Sequence, residues 1–568
     1  MLGGLHVDDG FRAEMAAGYT FNEPVIALGV PMLGTELLPE VHVAVPLSRI
    51  NRHGLIAGAT GTGKTKTLQL FAGQLSAAGV PVFAVDVKGD LSGIGAPGNP
   101  ADPKVLERTQ QMGWTFAAAG HPIQVLSLSG NVGGHVRASV SSFGPLLMGK
   151  VLDLNDTQVS VLSMVFHYCD QNKLPLLDLA DLRTTLKYLG SDDGKPILED
   201  LGGIAPATLG VILRSVTVLE QDGSGVFFGE PEFDVNDLLT MTPDGRGVIS
   251  LLEVADVMDK PRLYATFVLW MLARLYAALP EVGDLPKPKL AFFFDEAHLL
   301  FKDASTALLD QVERTARLIR SKGVGVYFVT QAPQDVPSPI LAQLGNRVQH
   351  ALRAFTPDDA DALRKTARTF PVTTHYDVER TITSLGIGEA LVTVLSPRGV
   401  PTPLAATRLL PPDSRMAPLT PDELSALAAA SPLTAKYGTT VDPQSAHEII
   451  TARLAAAHAA VGTVPGAVGA PGVAGAWTPP MMTPAQQQRE ITRQAREQAR
   501  AMDVQRRADE AARREAARAA KAQAKAEAQA ERERQRTMQT AMRTAGRMVT
   551  SRGGQNLIRG LFGILGGK

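Results

Sequence analysis

The run Gly58-Ala59-Thr60-Gly61-Thr62-Gly63-Lys64-Thr65 carries the residue types that hold a chain of phosphates. Its glycines let backbone N–H groups turn inward where a Cβ would clash. Those N–H groups, with the N-terminus of a following helix, form an anion cradle. Lys64 is expected to reach the β- and γ-phosphates of a nucleotide, and the Thr65 hydroxyl to ligate Mg²⁺. Lys66 completes the set expected to touch nucleotide. The flanks agree with this chemistry. Leu55-Ile56-Ala57 reads as a strand leading in, and Thr67–Phe71 as a helix leading out.

A second group lies more than two hundred residues on. Phe292-Phe293-Phe294 is an apolar run closed by Asp295-Glu296. Asp295 is expected to hold the Mg²⁺ shell opposite Thr65, and Glu296 to polarise a water for in-line attack. Two acids closing a buried strand are common; a phosphate loop upstream is what makes this pair informative. Gln331 closes the next apolar run, Val324–Thr330. It is expected to sense the γ-phosphate, the alternative being a polar residue that caps a turn. Hydrolysis also needs positive charge at the transition state. Arg314, Arg317, Arg320 and Arg353 are candidates. Arg320 comes first because it ends a helix just before the turn Ser321-Lys322-Gly323. Asp86, with Lys88 and Asp90 behind it, closes the run Val80–Val85. It is expected either to contact Mg²⁺-bound water or to cap the turn.

These residues need a scaffold that gathers strand ends. Apolar strands alternating with helices predict a mostly parallel sheet covered on both faces, with ligands collected at strand C-termini. Strands are expected at Leu55–Ala57, Val80–Val87, Ile123–Leu128, Val248–Leu252, Leu290–Phe294, Val324–Thr330, Arg347–Leu352 and Ala390–Leu395. Helical spacing over about 146–228 predicts a helical insertion between core strands. Residues 1–50, punctuated by Pro24, Pro31, Pro39 and Pro46, read as a short β segment. The catalytic core is expected over 51–410 and a helical appendix over 411–455. Residues 456–483 are an Ala/Gly/Pro linker and 484–568 a charged helical tail with an apolar end.

A chain of 568 residues that is 45% hydrophobic and 20% charged can bury a large core and should hold more than one domain. The net charge of −1 supplies no global basic signature for nucleic acid. Residues 488–547, by contrast, hold 16 Lys/Arg against 9 Asp/Glu, a surface for an acidic partner or a helix with paired charges. Cys169 is the single cysteine, so no intramolecular disulfide forms, and a reducing, cytoplasmic compartment is expected. The run Leu263–Leu279 is short and interrupted by Arg274, and reads as a buried helix, with no integral membrane segment expected.

In order, the motifs resemble those of the HerA–FtsK superfamily of ring ATPases. The matching stretches are His53–Thr65, Asp86-Val87-Lys88-Gly89, Phe294-Asp295-Glu296-Ala297-His298 and Ser321–Gln331. The match is closest to bacterial HerA-like ATPases with a charged C-terminal tail, and covers roughly 20–410. The resemblance implies a RecA-like P-loop core, a homo-hexamer, and ATP–Mg²⁺ sites completed by a neighbour's arginine. It also implies Gln331 as the sensor. The expected activity is an ATP-hydrolysing DNA translocase or helicase. The rivals are a protein-handling ATPase of the secretion and conjugation type, and an ATP-switched scaffold recruiting a partner through the C-terminal helix.

Overall fold

The computed structural model describes residues 7–301 and 306–461. The chain divides into two compact units, Met1–Val464 and Pro465–Lys568. The second lies outside the described residues, and with it the expected charged tail.

Thirteen strands join in one sheet. In chain order they are β1 (Val25–Leu33), β2 (Glu36–Leu37), β3 (Val43–Pro46), β4 (Gly54–Ala57) and β5 (Val82–Asp86). There follow β6 (Ile123–Ser127), β7 (Gly134–His135), β8 (Ile249–Glu253), β9 (Leu290–Phe294) and β10 (Val324–Thr330). The last are β11 (Asn346–His350), β12 (Glu389–Thr393) and β13 (Ala405–Leu409). The sheet order is β2-β1-β13-β12-β11-β4-β10-β9-β5-β8-β6-β7, with β3 paired to β1. From β11 to β7 every pairing is parallel. From β12 outward the pairings turn antiparallel. One strand, β10, separates the phosphate-loop strand β4 from the acid-bearing strand β9. This is the RecA-like order, and it puts the C-terminal ends of β4, β10, β9 and β5 along one edge.

The central strands are fully buried because alternate side chains feed two cores. Phe83, Val85, Phe292, Phe294, Val326 and Phe328 face one side, where they meet the helical segments 140–221 and 261–278. Ala84, Phe293, Tyr327 and Val329 face the other, against Leu68 and Phe71 of the helix Lys64–Ala77. Phe83 stacks on Phe292 with ring centroids 4.3 Å apart, locking β5 to β9.

The region expected to be helical contains Val140–Val151, kinked at Gly144, then Asp156–Gln171, Leu179–Leu189, Lys195–Asp200 and Pro206–Gln221. Capping boxes start two of these, Asn155 with Gln158 and Asp178 with Asp181. The run around Leu263–Leu279 forms the helix Pro261–Ala278, whose Trp270 and Phe267 are fully buried. No helix among the described residues is long and apolar enough to cross a membrane.

Three local features differ from the sequence reading. The first fifty residues begin with a helix, Asp9–Tyr19, capped by Asp8. Phe11, Met15 and Tyr19 recur every four residues and bury one stripe of it. β13 was not anticipated, since Ala405-Ala406-Thr407-Arg408-Leu409 has little strand character of its own. The last helix, Ala446–Val461, runs past the expected linker boundary at 456, because its Ala-rich stretch keeps helical propensity. It packs against Leu179–Leu189, where the Ser445 hydroxyl and the His447 N–H donate to Asp181.

Candidate active site

β4 is short and buried, and it delivers the chain to the sheet edge at Ala57. The loop there is tied down from both neighbouring strands. Gly58 N–H donates to Thr330 O at 3.2 Å, and Ala59 N–H to Ala351 O at 2.8 Å. Inside the loop the Thr62 hydroxyl donates to Ala59 O at 2.7 Å. Gly61 and Gly63 take φ of 77° and 113°, where side-chain-bearing residues are strained. The helix Lys64–Ala77 starts from Gly63 with no side-chain cap. Its first-turn N–H groups are therefore open to an anion. Thr60 is exposed at the loop tip, and Thr65 and Lys66 are half-buried in that first turn. Lys64 is buried and folds back, donating to Gly58 O at 2.7 Å and Ala59 O at 3.2 Å. Burial lowers its pKa, and the charges of Glu296, Asp295 and Asp335 partly oppose that.

Asp295 and Glu296 follow β9, one strand beyond β10. Asp295 is 2% exposed. Its Oδ1 accepts the Glu296 N–H at 2.9 Å, while Oδ2 is buried without a partner. Burial, then the charge of Glu296, pushes its pKa up to about 7. Glu296 has φ 45°, a left-handed conformation at a residue with a full side chain. Its carboxylate pairs with Lys88 from the loop after β5. Burial alone would raise its pKa, but Lys88, Lys64 and His298 outweigh burial and hold it below the usual carboxylate value. His298 Nδ1 lies 3.2 Å from Glu296 Oε2 without forming a hydrogen bond to it. The two adjacent acids are thus shifted in opposite directions, Asp295 upward by burial and Glu296 downward by the cations around it.

Gln331 lies exposed just past β10, between the two groups. The segment after it is fixed by Asp335, which accepts from the Thr330 hydroxyl at 2.7 Å and Ala332 N–H at 2.9 Å. Asp86 is different. Its Oδ1 accepts N–H groups of Lys88, Gly89 and Asp90, and Oδ2 accepts that of Leu91. Both oxygens are spent on the turn, so of the two expectations for Asp86 the geometry fits the capping one. Arg320 sits at the opposite edge of the sheet. It precedes β10 and lies within charge range of Arg52 and His53, which precede β4. It cannot reach the phosphate loop of its own chain. Arg314 and Arg317 are exposed on the preceding helix. Arg353 lies at the loop edge, and its guanidinium donates to Thr383 O at 2.8 Å.

Two contributors escaped the sequence reading. His350, at the end of β11, is fully buried beneath the loop, with Nε2 2.9 Å from the Thr67 hydroxyl. Burial and the charge of Lys64 drive its pKa down to about 3, so it braces the loop as a neutral ring. A Cβ on Gly58 would meet its Cβ at 2.4 Å. Glu253 closes β8 beside Asp86. Burial, then the charge of Asp86, pushes its pKa up to about 8. The rule that singled out Asp86 and Asp295, an acid closing an apolar strand, applies equally to Leu251-Leu252-Glu253.

Phosphate loop, strand order and paired acids define a P-loop ATPase. The family model "Helicase HerA-like C-terminal" matches residues 34–472, and the chain belongs to that family. It is 21% identical over 374 residues to the "DNA double-strand break repair helicase HerA" of Sulfolobus acidocaldarius, covering 65% of this chain and 67% of that one. Among solved structures it is similar to the bacterial conjugative coupling protein TrwBdeltaN70, at 14% identity and TM-score 0.45, covering 72% of this chain and 93% of that one. It is also similar to VirB4 of Thermoanaerobacter pseudethanolicus, at 15% identity and TM-score 0.41, covering 69% and 98%.

Proposed function

We propose that the chain is a DNA-translocating motor that hydrolyses ATP and works as a homo-hexameric ring in the cytoplasm. The observation that carries the chemistry is geometric: Glu296, buried at the end of β9, pairs with Lys88 and lies one strand away from the phosphate loop and its Lys64. Glu296 is held ionised and is the general base for the attacking water. Lys64 leaves the Gly58 and Ala59 carbonyls to meet the β- and γ-phosphates. Residues 58–63 and the open first turn of the helix, through Thr65 and Lys66, cradle the phosphates. Gln331 senses the γ-phosphate from the end of β10.

The buried, partnerless Oδ2 of Asp295 fits a cation, and with the Thr65 hydroxyl it would hold Mg²⁺. That ion, when bound, neutralises charge on the phosphates. Asp86 shapes the turn that carries Lys88 to Glu296. Arg320, remote from its own site, acts on the site of a neighbouring copy, and this asks for a head-to-tail ring. DNA as the cargo is supported by the family description and by the name of the Sulfolobus relative. The single cysteine supports a reducing compartment.

The test is the ATPase rate with and without double- and single-stranded DNA, beside a mass measurement of the assembly. Stimulation by DNA that fades at high salt, on a six-fold particle, is the expected result. Turnover indifferent to DNA would transfer the reading to a protein-handling motor. ATP binding without turnover would make the chain a switched scaffold.

A further inference from the structure

Phe355 lies a few residues past the end of β11 and is 88% exposed. Its backbone is nonetheless firmly held. The N–H groups of Phe355 and Thr356 donate to Asp359 Oδ2 at 3.0 and 2.9 Å, in the capping box that starts the helix Pro357–Ala367. Just upstream, the Arg353 guanidinium ties the run to the end of the helix Val378–Ser384, and Ala351 O accepts Ala59 N–H of the phosphate loop. Ile387, 76% exposed, follows that second helix. The next residue, Gly388, donates its N–H to Thr62 O at 3.0 Å. Two large apolar side chains are thus presented to water at one edge, on the side of the phosphate loop away from the acids. Exposed Asp358 stands beside them. Acids in a first helical turn suit the helix dipole. Nothing among the described residues accounts for the apolar pair, and such a patch marks an interaction site.

We infer that Phe355 and Ile387 are the docking surface for a second copy of this chain, which seats there the end of its helix Thr306–Ile319, with Leu318 against Phe355 and arginines around Asp358. The inference rests on the ring reading above and names the two surfaces that meet in it.

The chemistry of the two surfaces is complementary. Leu318 is itself 38% exposed. Arg314, Arg317 and Leu318 are spaced i, i+3, i+4 and share one helix face, and Arg320 follows immediately. Arg317 lies 3.9 Å from Glu313, whereas Arg314 and Arg320 have no acidic partner among the described residues. A guanidinium over a phenylalanine face gains cation–π attraction, and aromatic and arginine side chains carry much of the energy of protein interfaces.

Placement decides that the occupant is another copy and not the same one. Leu363 of the helix after Phe355 packs into the core on one face of the sheet, and Val312 and Ile319 into the core on the other. Phe355 follows the C-terminal end of β11, while Arg320 precedes β10 at the opposite edge. One chain cannot bring these surfaces together. Unlike surfaces on opposite sides of a protomer pair head to tail, and the contact repeats from copy to copy. An Arg320 delivered to Phe355 arrives beside a phosphate loop, which it cannot reach in its own chain.

The experiment is thiol cross-linking of the full chain with ATP and Mg²⁺ present, beside a mass measurement. The native Cys169 is buried, so it leaves the background low. A protein carrying Phe355→Cys and Leu318→Cys, treated with a short bis-maleimide, should give a ladder of covalent species that extends beyond dimers. Each single variant should give none, and an equal mixture of the two should stop at dimers. Phe355→Glu should weaken assembly at least about tenfold, read from the concentration at half-assembly, with the melting temperature of the dissociated chain within about 2 °C of wild type. Dimers from Phe355→Cys alone would mean that like surfaces meet, and overturn the inference. So would an assembled protein that yields no ladder and is indifferent to Phe355→Glu. A wild type that stays monomeric would instead sink the ring reading itself.

Discussion

Glu296 is the most constrained residue of the site: buried, at φ 45°, and held ionised by Lys88. A left-handed conformation at a non-glycine residue costs on the order of 1–3 kcal/mol and persists where surrounding contacts over-determine it. In the proposed role of general base, its carboxylate is what turnover depends on. Glu296→Gln should lower the ATP hydrolysis rate about 10²–10⁴-fold while ATP affinity, read by calorimetry, stays within about threefold. A normal rate would remove Glu296 from the role of base. At this scale much was legible. The loop Gly58–Thr65 and the strand-ending acids are contiguous strings, and their chemistry is written in neighbours. The pairing of Lys88 with Glu296 was not, because 208 residues separate them and only the adjacency of β5 and β9 brings them together.

The elements that carry these residues fail in distinct ways when altered. Gly58→Ala puts a Cβ 2.4 Å from the Cβ of His350, a group packed beneath the loop. Neither can yield without moving β4 or β11. Thermal melting should show a loss of roughly 1–3 kcal/mol, and ATP affinity should fall with it. At the other end of β4, His53 is buried and joins two elements. Its Nε2 lies 2.6 Å from Ala316 O, and Val326 N–H donates to its Nδ1 at 3.0 Å. The second contact requires the neutral ring, since a proton on Nδ1 would face the Val326 N–H. Burial lowers its pKa from 6.5 to about 4. The unfolded chain therefore binds the proton first as pH falls. Stability contributed by neutral His53 is complete above about pH 6.5 and is lost as pH falls toward 4, by roughly 3 kcal/mol. Denaturant titrations across that window should show the decline, and His53→Gln should flatten it. Strand β9 was readable because all five of its residues are apolar. The helix Asp9–Tyr19 was obscured by the prolines and short apolar runs downstream, although its stripe has the right period.

In the whole molecule, Met1–Val464 is one unit with cores on both faces of its sheet. Removing 465–568 should leave its melting temperature within about 2 °C of the full chain by calorimetry. A larger drop would assign the second unit a part in stability. The position of Arg320 makes a second prediction. Arg320→Ala and Lys64→Ala proteins should each be inactive alone, yet mixed subunits should recover part of the turnover. In a mixed ring, a Lys64→Ala copy still lends its arginine to an Arg320→Ala neighbour whose phosphate loop is intact. A mixture as inactive as its parts would exclude Arg320 from that role.

By itself the sequence determined the chemistry of short contiguous strings: a loop shaped for phosphates, acids at the ends of apolar strands, and an alternation that demands a parallel sheet. Local spacing suffices there, because a tight turn or a buried strand is set by residues adjacent in the chain. The tertiary structure alone decided which strand ends meet. It put one strand between Lys64 and the acids, filled both oxygens of Asp86 with turn N–H groups, sent Arg320 to the far edge, and set His350 under the loop. Those outcomes depend on strand order and on burial, which bring together residues hundreds of positions apart.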